Sequence, residues 1–151
     1  MIDWQRADLA DLEIEITPPG TGRGQREAGR CGLIFWQDPK NYITITSYLD
    51  DSYPGASVSS FFQIGGFEEL YDAVWSMVAD RIVWGKPFRF RTVFDGLRYQ
   101  SYVDGEPVLY RALSDVYPGL PPLAIRKVGL VTNWEWGNDT GSLLRNFAAK
   151  G

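Results

Sequence analysis

The residues best suited to chemistry lie near the end of the chain, in Asn133-Trp134-Glu135-Trp136-Gly137-Asn138-Asp139-Thr140-Gly141-Ser142. Trp134 and Trp136 are two apart, so an extended backbone puts both indoles on one side. Their apolar faces would suit the flat faces of sugar rings. Glu135 and Asp139 are two carboxyl groups of the kind glycosidases use in pairs, if their separation is right. A plainer role is open to the same residues. Asn133, Asn138, Asp139, Thr140 and Ser142 can satisfy the backbone of an irregular loop, Gly137 and Gly141 can supply unusual φ values, and the indoles can pack internally. Trp134, Trp136, Asn138 and Asp139 are the first set of candidate ligand contacts.

A second set comes from alternating segments. Arg89 and Arg91 alternate with Phe88 and Phe90. They either line a sheet concavity with Arg98 and Tyr102, where forked guanidinium bonds favour an acidic or hydroxyl-rich ligand, or face water in salt bridges to Glu13 and Glu15. Tyr42, Thr44, Thr46 and Tyr48 form one side of a strand and read as an aromatic-flanked polar face, solvated or ligand-binding. Tyr42, Tyr48, Arg89 and Arg91 together are expected as a second patch. Trp36, at a strand end, can join either the Trp134–Trp136 indoles or the internal packing.

The remaining chemistry is narrow. The chain has no His, which removes His-dependent triads, imidazole bases and His-bearing metal sites. Its single cysteine, Cys31, reads as a small buried hydrophobe beside Gly32. Asp50-Asp51 has too few neighbouring oxygen ligands for a calcium loop. The glycine-rich stretch Gly20 to Gly29 carries Arg23 and Arg26 but lacks the Gly-Lys-Ser/Thr of a phosphate loop, and a strand follows it rather than a helix. No cofactor, metal or catalytic set is expected, and the balance leans away from an enzyme.

The elements that must position these residues are strands. The chain has 151 residues, 44% of them hydrophobic and 15% aromatic, enough for the core of one domain over residues 1–151, itself open to being part of a longer chain. A net charge of -4 argues against nucleic acid as partner. No run of ~18 apolar residues is present to span a membrane as a helix. Met1-Ile2-Asp3-Trp4 does not read as a signal peptide. The location is therefore extracellular or periplasmic if a leader has been removed, and cytoplasmic otherwise.

Leu9 to Thr17 alternates cleanly, with Leu12, Ile14 and Ile16 on one side and Glu13, Glu15 and Thr17 on the other. Further strands are expected at Arg30 to Trp36, Tyr42 to Leu49, Ser57 to Ile64, Phe88 to Asp95, Leu97 to Val103, Glu106 to Ala112, Leu123 to Thr132 and Leu143 to Ala149. Asp95-Gly96 and Asp104-Gly105 are strong hairpin signals, because glycine accepts the positive φ such turns need. Phe67, Leu70, Tyr71 and Val74 have helical spacing, which predicts a short helical or loop insert over residues 67–80. Ser114 to Pro122 reads as a rigid loop. About nine strands with short turns predict an all-β antiparallel sandwich or jelly roll.

Several of these segments resemble the concanavalin A-like lectin/glucanase superfamily, including its laminin-G-like domains. Phe88-Arg89-Phe90-Arg91-Thr92-Val93-Phe94-Asp95-Gly96 leads into Tyr99-Gln100-Ser101-Tyr102-Val103-Asp104-Gly105-Glu106-Pro107-Val108. Val128-Gly129-Leu130 and Asn146-Phe147 follow, and Cys31 to Trp36 with Asn41-Tyr42-Ile43 matches the paired early strands. The resemblance covers roughly residues 30 to 149 and implies a jelly roll, with one or two N-terminal strands of the family missing or lying before Met1. The glucanase Glu-x-Asp-x-x-Glu strand is absent, so its activity is not implied. The function expected is a non-catalytic module binding carbohydrate or a similar polar ligand. The alternatives are a structural or protein-interaction domain of the same fold and, third, a carbohydrate-active hydrolase or lyase using Glu135 and Asp139.

Overall fold

The computed structural model describes residues 1–20, 28–50, 56–74, 81–116, 118–132 and 139–151. Asp95-Gly96 and Asp104-Gly105 act as hairpin turns, as expected. Gly96 has φ 92°, and Asp104 and Gly105 have φ 49° and 82°. Asp95 Oδ1 accepts the N–H groups of Leu97 and Arg98, which closes the first turn. They join β7 (Phe88–Phe94), β8 (Arg98–Val103) and β9 (Glu106–Ala112) into a meander. On the other side of β7 lie β2 (Ala10–Thr17) and then β11 (Leu143–Lys150), giving a five-stranded antiparallel sheet in the order β11-β2-β7-β8-β9.

The second sheet has six strands in the order β1-β10-β3-β4-β5-β6. They are β1 (Ile2–Asp3), β10 (Lys127–Thr132), β3 (Ala28–Asp38), β4 (Asn41–Asp50), β5 (Ala56–Ile64) and β6 (Phe67–Val74). The β3–β4 turn is shaped by Asp38, whose carboxylate accepts the Asn41 side-chain amide and the Lys40 N–H. Those bonds hold the Asp38 carboxyl below its ordinary value.

The two sheets face each other across the apolar sides of their strands. Leu12, Ile14, Ile16, Phe88, Phe90, Phe94 and Tyr99 come from one sheet, and Cys31, Leu33, Phe35, Ile43, Ile45, Val58 and Phe62 from the other; all are buried. Phe35 and Phe94 meet edge to face across the interface, with centroids 5.2 Å apart. One hydroxyl pair also bridges the layers, Ser60 Oγ to Tyr99 OH at 2.8 Å. It satisfies both groups away from water. The architecture is the all-β antiparallel sandwich that the alternation implies.

Four segments differ from the sequence expectations, one of them the unexpected short strand β1 (Ile2–Asp3). Residues 67–74 form strand β6, not a helical insert; residues 75–80 lie outside the described residues. Gly65 and Gly66, at φ 57° and 82°, turn the chain back on β5, and pairing along that edge overrides the helical spacing. A helix does occur, but elsewhere: α1 (Leu113–Val116) follows β9, where a rigid loop was expected. Finally, β10 starts at Lys127 rather than Leu123. The Leu123 and Ile125 N–H groups bond to the Gly96 and Ala7 carbonyls instead of a ladder. Among the described residues, no helix is long and apolar enough to cross a membrane.

Candidate functional site

Each sheet has an outer face, and the two faces differ in chemistry. On the five-stranded sheet the two central arginines are paired with acids of the neighbouring strand. Arg91 donates from Nε and Nη2 to both oxygens of Asp11, at 2.8 and 2.7 Å, and its guanidinium lies 5.1 Å from the Tyr102 ring centroid. Those bonds hold it in the charged form. Arg89 donates to Glu13 at 3.1 Å. Arg89 and Arg91 stand directly opposite Glu15 and Glu13 in the ladder. Both nevertheless bond diagonally, to the acid two residues back, as neighbours in a twisted sheet can. A groove beside them is lined by Asp11, Glu13, Arg91, Ala148, Ala149 and Lys150; its two acids already hold the arginines, and Lys150 stands 3.9 Å from Asp11.

The outer face of the six-stranded sheet is built in transverse rows. Register places Trp36, Tyr42 and Gln63 side by side on β3, β4 and β5. Ile34, Thr44 and Phe61 come next, then Gly32, Thr46 and Ser59, then Arg30, Tyr48 and Ser57. Among these twelve positions Arg30 is the one charged residue. Tyr42 and Phe61 pack ring against ring, 5.9 Å between centroids, and the Thr46 and Ser59 hydroxyls bond at 3.3 Å. The first row is half-buried, so rings and amide meet solvent there, whereas Thr44, Thr46, Ser57 and Ser59 are buried. The half-buried row of two aromatic residues and an amide can stack a ring and accept or donate hydrogen bonds, while the hydroxyls behind it are buried.

At the far end, Arg30 is 4% exposed. Its guanidinium carbon lies 4.6 Å from the Tyr48 ring centroid, while the Tyr48 hydroxyl donates to Asp50 Oδ2 at 2.8 Å. Arg30 also bonds through its backbone N–H to Asp139 Oδ2, at 3.1 Å. Asp139 Oδ1 accepts the N–H groups of Gly141 and Ser142, at 2.8 and 2.7 Å. Thr140 exchanges hydrogen bonds with Ala28. The segment after residue 138 is therefore clamped to β3, and Thr132 at the end of β10 pairs with Cys31 of the same strand.

The expected contacts are thus redistributed. Trp134, Trp136 and Asn138 lie outside the described residues, as does Glu135. Asp139 anchors backbone with both carboxylate oxygens. Tyr42 and Tyr48 lie on the outer face of one sheet and Arg89 and Arg91 on that of the other, so the four do not form one patch. Opposite outward faces are indistinguishable in sequence, since both alternate polar with apolar. Arg89 and Arg91 take the salt-bridged arrangement. Sequence reasoning missed Arg30 as the residue that joins Tyr48 to Asp139. Its outward position in β3 was a signal, since it alternates with Cys31.

Cys31 is buried in the core beside this clamp, as expected. Burial, and then the negative charge of Asp139, push its thiol from 9.0 up to about 12. The unfolded chain releases this proton first, so the contribution to stability is whole below pH 9.0 and declines between there and about 12. Native protein at pH 8 is expected to leave an aromatic disulfide reagent unreacted, with one thiol released on adding denaturant. Rapid native labelling would contradict this burial.

No family model matches the chain, and no curated protein matches it either. Solved structures do. A tetrameric galectin from the ball sponge Cinachyrella sp. superposes with a TM-score of 0.65 at 13% identity, covering 98% of this chain and 96% of that one. A galectin from Caenorhabditis elegans gives 0.61 at 13%, covering 99% and 89%. The carbohydrate-binding module CBM66 from Bacillus subtilis gives 0.56 at 18%, covering 95% and 76%. The fold is the concanavalin A-like jelly roll. Within this jelly roll the six-stranded sheet carries the aromatic and hydroxyl rows, and the five-stranded sheet carries the closed ion pairs.

Proposed function

We propose that this jelly roll is a single domain over residues 1–151 that binds carbohydrate, or a similar polyhydroxylated ligand, without acting on it chemically. The observation that supports the reading is the row of Trp36, Tyr42 and Gln63 across three strands of an outer sheet face. Sugars present apolar C–H faces and a rim of hydroxyls. Two neighbouring rings with an amide beside them match that pattern. The likeness of fold to galectins and to a carbohydrate-binding module supports the same class. Trp134, Trp136, Asn138 and Asp139 are further candidate contacts by residue type, the first three lying outside the described residues. A non-catalytic role accords with the absence of His and with the use of both Asp139 oxygens on backbone.

The test is a glycan array followed by calorimetry. Trp36→Ala is expected to lower affinity for the best glycan by about tenfold or more, on the scale of losing a stacked aromatic contact. Trp136→Ala is expected to weaken it as well. Unchanged affinity in Trp36→Ala, with the circular dichroism of the native fold, would remove this face from the reading.

A second reading rests on a different observation. Ile2 and Leu130, on the adjacent strands β1 and β10, are 52% and 37% exposed. An apolar edge of this kind favours a structural or protein-binding role for the same fold. Light scattering decides between them: a monomer that binds glycans speaks for the first, and an oligomer without glycan binding for the second.

A further inference from the structure

We propose that the ligand of the Trp36–Tyr42 face is an anionic saccharide, carrying a carboxylate or a sulfate ester on or next to the ring that stacks. This rests on the carbohydrate reading above and specifies its chemistry. Lys127 of β10 is the register partner of Trp36, so its side chain leaves the sheet on the same outer face. Its ammonium lies 5.4 Å from the Trp36 ring centroid, and the side chain is 43% exposed. A cation is therefore stationed at the open, aromatic end of the rows.

The carboxylates around it hold it loosely. Asp3, on the two-residue strand β1, is 3.9 Å from the ammonium and 82% exposed. A pair of that length and exposure contributes little. The contrast with Arg91, gripped by Asp11 through two short bonds, is direct. Asp38 is nearby in the chain, but it is turned into the β3–β4 hairpin, where it accepts the Lys40 N–H and the Asn41 and Gln37 amides. Two further cations stand at this end. Lys40 is exposed in the hairpin turn, and Arg126 is exposed one residue before Lys127, its N–H on the Trp36 carbonyl. The four rows named above contain no carboxylate; Asp50, next on that side of β4, lies at the far end and accepts the Tyr48 hydroxyl. In a chain of net charge -4, a lysine beside a stacking ring, held among the described residues by one exposed carboxylate at 3.9 Å, matches an anion on the ligand.

A ring laid on Trp36 would move the Lys127 ammonium from the indole face to its edge. There it meets a carboxylate or sulfate of that ring, exchanging a cation–π contact for a charge-assisted hydrogen bond. Such a contact is half in water, so it weakens as salt screens it.

The experiment uses the intact chain on an array of glycans in matched sets, each backbone present in neutral, carboxylated and sulfated form. The best binder is then titrated against wild type, Lys127→Gln, Lys127→Arg and Trp36→Ala, at about 50 and about 300 mM salt. Anionic members are expected to bind better than their neutral matches. Lys127→Gln should lose about tenfold in affinity, as for one hydrogen bond to a charged group, Lys127→Arg should restore most of it, and affinity should fall with salt. Hits restricted to carboxylated or to sulfated members identify the anion. Equal binding of neutral and anionic members, or an unchanged Lys127→Gln, overturns the anionic assignment. If those neutral glycans are lost in Trp36→Ala, the carbohydrate reading stands without it. No binding to any glycan overturns both.

Discussion

Gly32→Ala is expected to cost about 3 kcal/mol or more of stability, the high end for overpacking a well-formed interior. A Cβ on Gly32 would overlap the carbonyl oxygen of Ile45 and stand 2.7 Å from the Thr46 Cα. Both are backbone atoms of the adjacent strand β4, so no rotamer change relieves the clash. Relief requires separating β3 from β4 in the middle of the six-stranded sheet, where the ladder runs from Ala28–Asp50 to Asp38–Asn41. For a chain of this size the penalty corresponds to a fall of about 10 °C in Tm. The comparison variant is Gly105→Ala, at φ 82° with nothing near its Cβ, where only backbone strain of about 1 kcal/mol applies. Thermal melts of both variants test the difference. A Gly32→Ala protein that melts with the Gly105→Ala protein would mean that the two strands do not approach as described.

Asp139→Ala is expected to be the most damaging surface-side substitution, at about 2–3 kcal/mol, because it strands three backbone donors at once. The Arg30, Gly141 and Ser142 N–H groups would lose their acceptor. Asp139→Asn retains one acceptor oxygen and should recover the Gly141 and Ser142 bonds, so its loss is smaller. Denaturant titration ranks the three proteins, and amide exchange at Arg30, Gly141 and Ser142 shows whether the clamp is the cause. The thiol offers an independent check. Asp139 is second to burial in raising the Cys31 thiol, so Asp139→Asn should bring that value down from about 12 while leaving it above the ordinary 9.0. A thiol unmoved by the substitution would place the carboxylate farther from Cys31.

Much of the fold was legible because it is local. Leu12, Ile14 and Ile16 against Glu13 and Glu15 announce a half-buried strand by period alone. Asp95-Gly96 and Asp104-Gly105 announce turns by the φ values they accept. The helical spacing of Phe67, Leu70, Tyr71 and Val74 misled because a strand partner outweighed it. Nothing within residues 67–74 shows that β5 waits alongside; the two glycines at 65 and 66 do, when read as a hairpin turn.

The candidate site was legible in kind and not in place. Tyr42, Arg89 and Arg91 were read as outward and are partly or well exposed, whereas Tyr48, on the same side of β4 as Tyr42, is buried. Their assembly into one patch was wrong, because alternation tells inside from outside and says nothing about which of two sheets a strand joins. Asp139 was visible as a loop residue able to bond backbone, but its partner Arg30 is far away in the chain, and only the tertiary structure brings the two together. Lys127 and Trp36 are likewise remote in sequence and adjacent in register.

By itself, then, the sequence determined the strands, the tight turns, the apolar face of each strand and the exclusion of His-based chemistry. These follow from side-chain periodicity and backbone preference, which act over a few residues. Only the tertiary structure decided which outer face carries matched ion pairs and which carries rings, hydroxyls and a loosely held lysine. That distinction depends on strand order and register, which are set by the packing of two sheets and have no local signature in the chain.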